Sequence, residues 1–146
     1  MLDQILSSIE VEMMFQILVA TCLGLIIGIE REHIGKAAGK RTFALVALGA
    51  TLFTVIAANG FSGLPKPNSF DPSRVASQIV VGIGFLGTGL IIFQENKIKN
   101  LTTAAALWSA AAIGVTVGIK YYFLAIFGTF LIFFILAGLR HMIREE

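Results

Sequence analysis

Charge is scarce in this chain. Asp, Glu, Lys and Arg make up 14% of its 146 residues, against 56% hydrophobic residues, and the mean hydropathy is +0.85. A water-soluble domain of this length cannot clothe its surface with so few polar groups. Cysteine occurs once, as Cys22 inside an apolar run, which excludes an intrachain disulfide framework. The residues before Cys22 carry Asp3, Glu10 and Glu12 but no Lys or Arg, so a cleaved signal segment, which needs a basic start, is not expected. Histidine stands only at His33 and His141, too far apart to read as a metal-ligand pair. No Ser-His-acid grouping, Cys-x-x-Cys or phosphate loop occurs, so neither an enzyme nor a certain resident cofactor is expected. The net charge of +2 is small, and the basic residues fall in short clusters between apolar runs, which speaks against a nucleic-acid partner and for a topology signal.

What is present is length of apolar sequence. Five runs cover residues 13–29, 42–59, 75–93, 101–119 and 121–139. Each has roughly the 17 to 25 residues that a helix needs to cross a hydrocarbon core about 30 Å thick. The runs lack the alternation of barrel strands, and backbone polar groups cannot face lipid unpaired, so helices are expected. The reading is an all-α integral membrane protein, one domain over residues 1–146, with about five transmembrane helices. Lys and Arg number eight in the first loop, the third loop and the C-terminal tail, against three on the opposite side. This imbalance predicts an outside N-terminus and a cytoplasmic C-terminus. Lys120 alone resists the scheme, since the link between the last two spans is short enough to be a kink instead.

Local signals refine the boundaries. Asp71-Pro72 is expected to start the third helix, Asn100 or Thr102 to cap the fourth, and Gly60 to close the second. The stretch from Gly60 to Phe70 reads as an exposed connection. Within the third run, Gly82-Ile83-Gly84-Phe85-Leu86-Gly87 matches the dinucleotide fingerprint in letters, but it lies mid-span rather than between a strand and a helix. Gly82, Gly84, Gly87 and Gly89 are therefore read as helix-packing positions, and a homodimer through the third or fourth helix is expected. The fourth run is small all round and should sit centrally, with Trp108 filling the gap that its alanines leave.

Two polar clusters stand out. Asp71, Arg74 and Gln78 share one stripe of the third helix; they form either a cation or ligand site, with Asp71 as an oxygen ligand for Mg²⁺, or a helix cap beside a snorkelling arginine. Glu30-Arg31-Glu32-His33 and the basic residues Lys36 to Arg41 flank the ends of the first two helices. They suit an anionic ligand, a lipid phosphate or a partner protein, with Gly35 and Gly39 freeing the backbone, or else they only hold the loop inside.

Three blocks resemble the transmembrane domain of the MgtC/SapB family: GIEREHIGKAAGKRTFALVALGATLF from Gly28, DPSRVASQIVVGIGFLGTGLII from Asp71, and NLTTAAALWSAAAIGVTVG from Asn100. The resemblance implies a bacterial inner-membrane protein linked to low-Mg²⁺ adaptation and, in pathogens, to virulence. It implies a regulatory role through other membrane proteins, such as the ATP synthase or P-type ATPases, rather than transport by the protein itself. The alternative is a Mg²⁺ transporter or channel built by an oligomer. The family's polar positions fall on Glu30, Arg31, Gly35, Lys36, Gly39, Arg41 and Thr42, on Asp71, Arg74 and Gln78, and on Thr102, Thr103 and Trp108. Virulence-associated members carry a soluble domain after the last span, so either a short member of the family or a truncated chain is expected here.

Overall fold

A computed structural model describes residues 2–60, 71–94 and 96–139, with side chains from residue 8 onward. Five helices follow one another: α1 (Leu2–His33), α2 (Lys40–Val55, prolonged by a π-helical turn Ile56–Gly60), α3 (Ser73–Leu90), α4 (Leu101–Gly118) and α5 (Tyr122–Phe133, prolonged by a π-helical turn Phe134–Gly138). The first four are long and apolar enough to cross a membrane, and Tyr122–Gly138 is a shorter apolar helix. The chain is a helical membrane protein.

Two boundaries differ from expectation. Helix α1 begins at Leu2, about three turns before the apolar run, because nothing in residues 2–12 breaks a helix; its 32 residues rise about 48 Å, more than a bilayer core. Helix α3 ends at Leu90 rather than at 93. Ile92–Gln94 (β1) instead pairs antiparallel with Lys97–Lys99 (β2), Phe93 opposite Ile98. Asn96 and Asn100 take positive φ angles of 60° and 65°, which asparagine tolerates better than most residues. Asn100 does not cap α4 with its side chain; its Nδ2 turns back and donates to Leu90 O at 3.1 Å, closing the end of α3. Asp71 serves α3 from just outside, its carboxylate accepting the Ser73 N–H at 2.9 Å. The connection between Gly60 and Phe70 and the tail with Arg140, His141 and Arg144 lie outside the described residues.

Helix α2 lies between α1 and α4, and glycines set both contacts. An added Cβ on Gly24 would stand 2.7 Å from Phe43 O, and one on Gly28 would stand 2.4 Å from Lys40 Cα. On α4, a Cβ at Gly114 would meet Ala47 O at 2.4 Å and one at Gly118 would meet Thr54 Cβ at 2.6 Å. Each pair is spaced G-x-x-x-G, and the backbones approach where side chains are missing. Thr51, fully buried, donates to Ala47 O at 2.9 Å and to Gly114 O at 2.8 Å, tying α2 to α4 through hydrocarbon. Buried Gln16 on α1 donates from Nε2 to Val117 O and Gly118 O, both at 2.9 Å, at the end of α4, where the Lys120 N–H also donates to Val117 O at 2.8 Å. The turn that follows, with Lys120 at φ 68°, is held by a 2.8 Å ion pair from Lys120 Nζ to Glu12.

As expected, α4 is central, packing against each of the other four helices. Trp108 does not fill a gap left by its alanines: it is 49% exposed, because the alanines Ala104, Ala106, Ala110 and Ala111 are themselves buried against neighbouring helices and leave no gap on that side.

Candidate functional site

The acid-base cluster around residue 30 forms at the corner between α1 and α2. Helix α1 closes with Gly35 at φ 66°, Gly35 N–H donating to Glu32 O and Lys36 N–H to Arg31 O, both at 3.0 Å. This is a Schellman turn, and it explains why glycine stands at 35. Gly39 makes room for a carboxylate, since a Cβ there would lie 2.7 Å from Glu32 Oε2. Glu32 in turn accepts the Lys40 N–H at 3.1 Å and pairs with Lys40 Nζ at 3.0 Å, placing a negative charge at the N-terminus of α2. The alternation of charges in this segment thus builds a corner. A cavity of about 340 Å³ opens beside it, lined by Ile29, Glu32, His33 and Lys40.

Glu30 and Arg31 differ from their neighbours in being buried, at 8% and 3% exposure. They pair with each other, Arg31 Nε to Glu30 Oε2, and Arg31 also donates to Leu136 O at 3.2 Å in the final turn of α5. Ions taken from water carry a large desolvation penalty, offset only by pairing and hydrogen bonds of this kind. The pair locks the end of α1 to the end of α5. Lys36, Arg41 and Thr42 are exposed beside it.

The second cluster lies at the other end of the next spans. Asp71, Arg74 and Gln78 are all exposed. Hydrogen bonds from Ser73, with the charge of Arg74 adding, hold the Asp71 carboxyl below the usual aspartate range. No three His, Cys, Asp or Glu side chains gather as a metal-ligand set among the described residues. Arg74 and Gln78 instead line a cavity of about 900 Å³ between α2 and α3, which Thr42, Gly49 and Gly82 also line. Thr102 is exposed at the start of α4 and Thr103 buried, in neither cluster.

The glycines of α3 divide. Gly87 packs, a Cβ there standing 3.7 Å from Ala104 Cβ, whereas around Gly82, Gly84 and Gly89 nothing among the described residues lies within 4 Å of that position. Ser77, Val81, Gly84 and Thr88 follow one heptad-spaced stripe, and all four are exposed. The hydroxyls on it are satisfied within α3, Ser77 Oγ on Arg74 O and Thr88 Oγ1 on Gly84 O, both at 2.8 Å.

Comparison with known proteins decides the family. The family model described as "MgtC family" matches residues 17–145. The chain belongs to the MgtC family. It is similar to Protein SrpB of Synechococcus elongatus, 38% identical over 140 residues, 89% of this chain and 76% of that protein. It is also similar to Protein MgtC of Brucella abortus, 48% identical over 99 residues, 68% of this chain and 39% of that protein. The YhiD protein of Escherichia coli K12, named as a candidate magnesium transporter, is 43% identical over 105 residues, 70% of this chain and 49% of that protein. The chain thus spans about half the length of the first relatives it matches. No solved structure matches.

Within this MgtC-family chain, the resemblance blocks contain most of the close contacts as well as the polar clusters. Sequence reasoning missed Gln16, Gly24 and Glu32 as structural residues. The i, i+4 glycine spacings at 24/28 and 114/118 were the available signal for the α1–α2 and α4–α2 contacts. Gln16 offered a weaker one, a lone amide in an apolar run.

Proposed function

We propose that this protein is a regulator of magnesium homeostasis in the bacterial inner membrane, with its C-terminus in the cytoplasm, and that it acts by binding other membrane proteins. The observation that carries the reading is the exposed stripe Ser77, Val81, Gly84 and Thr88 on α3. Small residues with internally satisfied hydroxyls let another helix approach closely, and in lipid such contact supplies much of the association energy. The relatives named MgtC and the magnesium label on YhiD support the connection with Mg²⁺. The only buried charged residues among those described, Glu30 and Arg31, lie at one end of the bundle and neutralise each other. A route for an ion across the bilayer usually has ionisable groups or broken helices at mid-depth.

A photo-crosslinking residue at position 81 or 84, irradiated in native membranes from Mg²⁺-replete and Mg²⁺-starved cells, tests the reading. Adducts with other membrane proteins, such as ATP synthase or P-type ATPase subunits, are expected, together with a homodimer. Recovery of nothing but the uncrosslinked chain in both conditions overturns it. The name of YhiD favours one second reading, an oligomeric Mg²⁺ transporter; cation flux in liposomes that Glu30→Ala or Asp71→Ala reduces would establish that reading in place of the first.

A further inference from the structure

We infer that the groove between α2 and α3 is a phospholipid site, with an acyl chain along its length and the phosphate held by Arg74 and Gln78. Its α3 wall runs from Arg74 to Leu86. Twelve residues of rise give about 18 Å, slightly more than the hydrocarbon depth of one leaflet, about half of 30 Å. A transmembrane helix docking here would call for a groove nearly twice as long.

Polarity is graded to match. Arg74 and Gln78 stand one helical turn apart at one mouth, while the walls beyond them are apolar until Thr42 at the far end. Arg74 forms no ion pair within 4.0 Å among the described residues, and the carboxylate nearest in sequence, Asp71, is engaged by Ser73. Its guanidinium fork is therefore available, and that geometry favours phosphate oxygens. Gln78 places a second donor about 6 Å deeper.

The interior of the groove is kept open by glycine. Gly49 on α2 and Gly82 on α3 both line it, and among the described residues nothing lies within 4 Å of a Cβ built on either. Glycine inside a helix costs about 1 kcal/mol relative to alanine, and here no close backbone contact offsets that cost. Both glycines widen the groove, whose volume is about 900 Å³. This face is distinct from the Ser77–Thr88 stripe, so the site stands or falls apart from partner binding.

The test uses the full chain in detergent, with native mass spectrometry after incubation with dioleoyl phosphatidylglycerol or with dioleoylglycerol, which has the same chains and no phosphate. One retained phosphatidylglycerol is expected, with dioleoylglycerol held far less. Arg74→Gln should cut retention roughly tenfold, the scale of a charge-assisted hydrogen bond, and Arg74→Lys should restore part of it. Gly82→Leu should abolish retention by filling the groove. Neither position is packed, so melting temperatures should match the parent chain and separate lost binding from lost folding. Equal retention of the two lipids, or retention unchanged by Arg74→Gln, overturns the site. So does efficient disulfide dimerisation of Gly82→Cys in a Cys22→Ser background, which would put a second copy in the groove.

Discussion

Helices α3 and α4 have the same length and are both rich in small residues, yet 56% of α4 is buried inside the bundle and only 11% of α3. In α4, Gly114 and Gly118 bring backbones into contact with α2. In α3, a Cβ built on Gly82, Gly84 or Gly89 would meet nothing within 4 Å among the described residues. One residue type thus does two jobs: it removes bulk where helices must meet, and it leaves surface or space where something else can. The inner trio α1, α2 and α4 is a scaffold, and α3 is the face offered to the membrane.

That contrast can be broken from several directions. The largest effect is expected at the buried ion pair: Arg31→Ala removes the guanidinium that pairs with Glu30 and the bond to Leu136 O, and should cost about 3 to 5 kcal/mol, read as lost folded yield in detergent. The double change Glu30→Gln with Arg31→Met should recover much of it, because neither buried side chain is then charged. Next comes Gly114→Leu, whose side chain must displace the backbone of α2; a loss of about 3 kcal/mol is expected in chemical unfolding. Gly84→Leu, the same substitution on α3, should leave that unfolding curve in place and lower crosslinking to partners, and equal destabilisation by the two would erase the distinction drawn here. Gln16→Leu removes the two bonds to Val117 and Gly118 and should cost about 1 kcal/mol, moderated because it also removes Oε1, which is buried without a partner. The smallest effect belongs to pH. The Asp71 carboxyl titrates below its ordinary value, so its contribution to the start of α3 is fully present above the unfolded aspartate range and is lost as pH falls on through the lower folded value; Asp71→Asn should flatten that dependence in helicity measured by circular dichroism.

Much of the architecture was legible because lipid makes strict demands. Long apolar runs can only be helices, so α2, α4 and α5 begin and end near the expected residues, and the family resemblance in three blocks agrees with the match over residues 17–145. The end of α3 was not legible. Ile91-Ile92-Phe93 is as apolar as a span, and only the pairing of Phe93 with Ile98 and the turn at Asn96 makes it a hairpin. For the polar clusters, spacing located the residues but not their work. Glu30 and Glu32 stand two apart in one acid-base run, yet one is buried against Arg31 and the other caps α2 at the surface. Helical position separates them, and no count of charges does.

Composition and hydropathy determined the solvent of this protein and the presence of its helices, and three sequence blocks carried the resemblance to its family, since each depends on local runs of side chains. Which glycines are contacts and which are openings was decided by tertiary structure alone. A glycine has no side chain to announce its role, and whether a neighbouring helix occupies the place a Cβ would take depends on how helices far apart in the chain lie against each other.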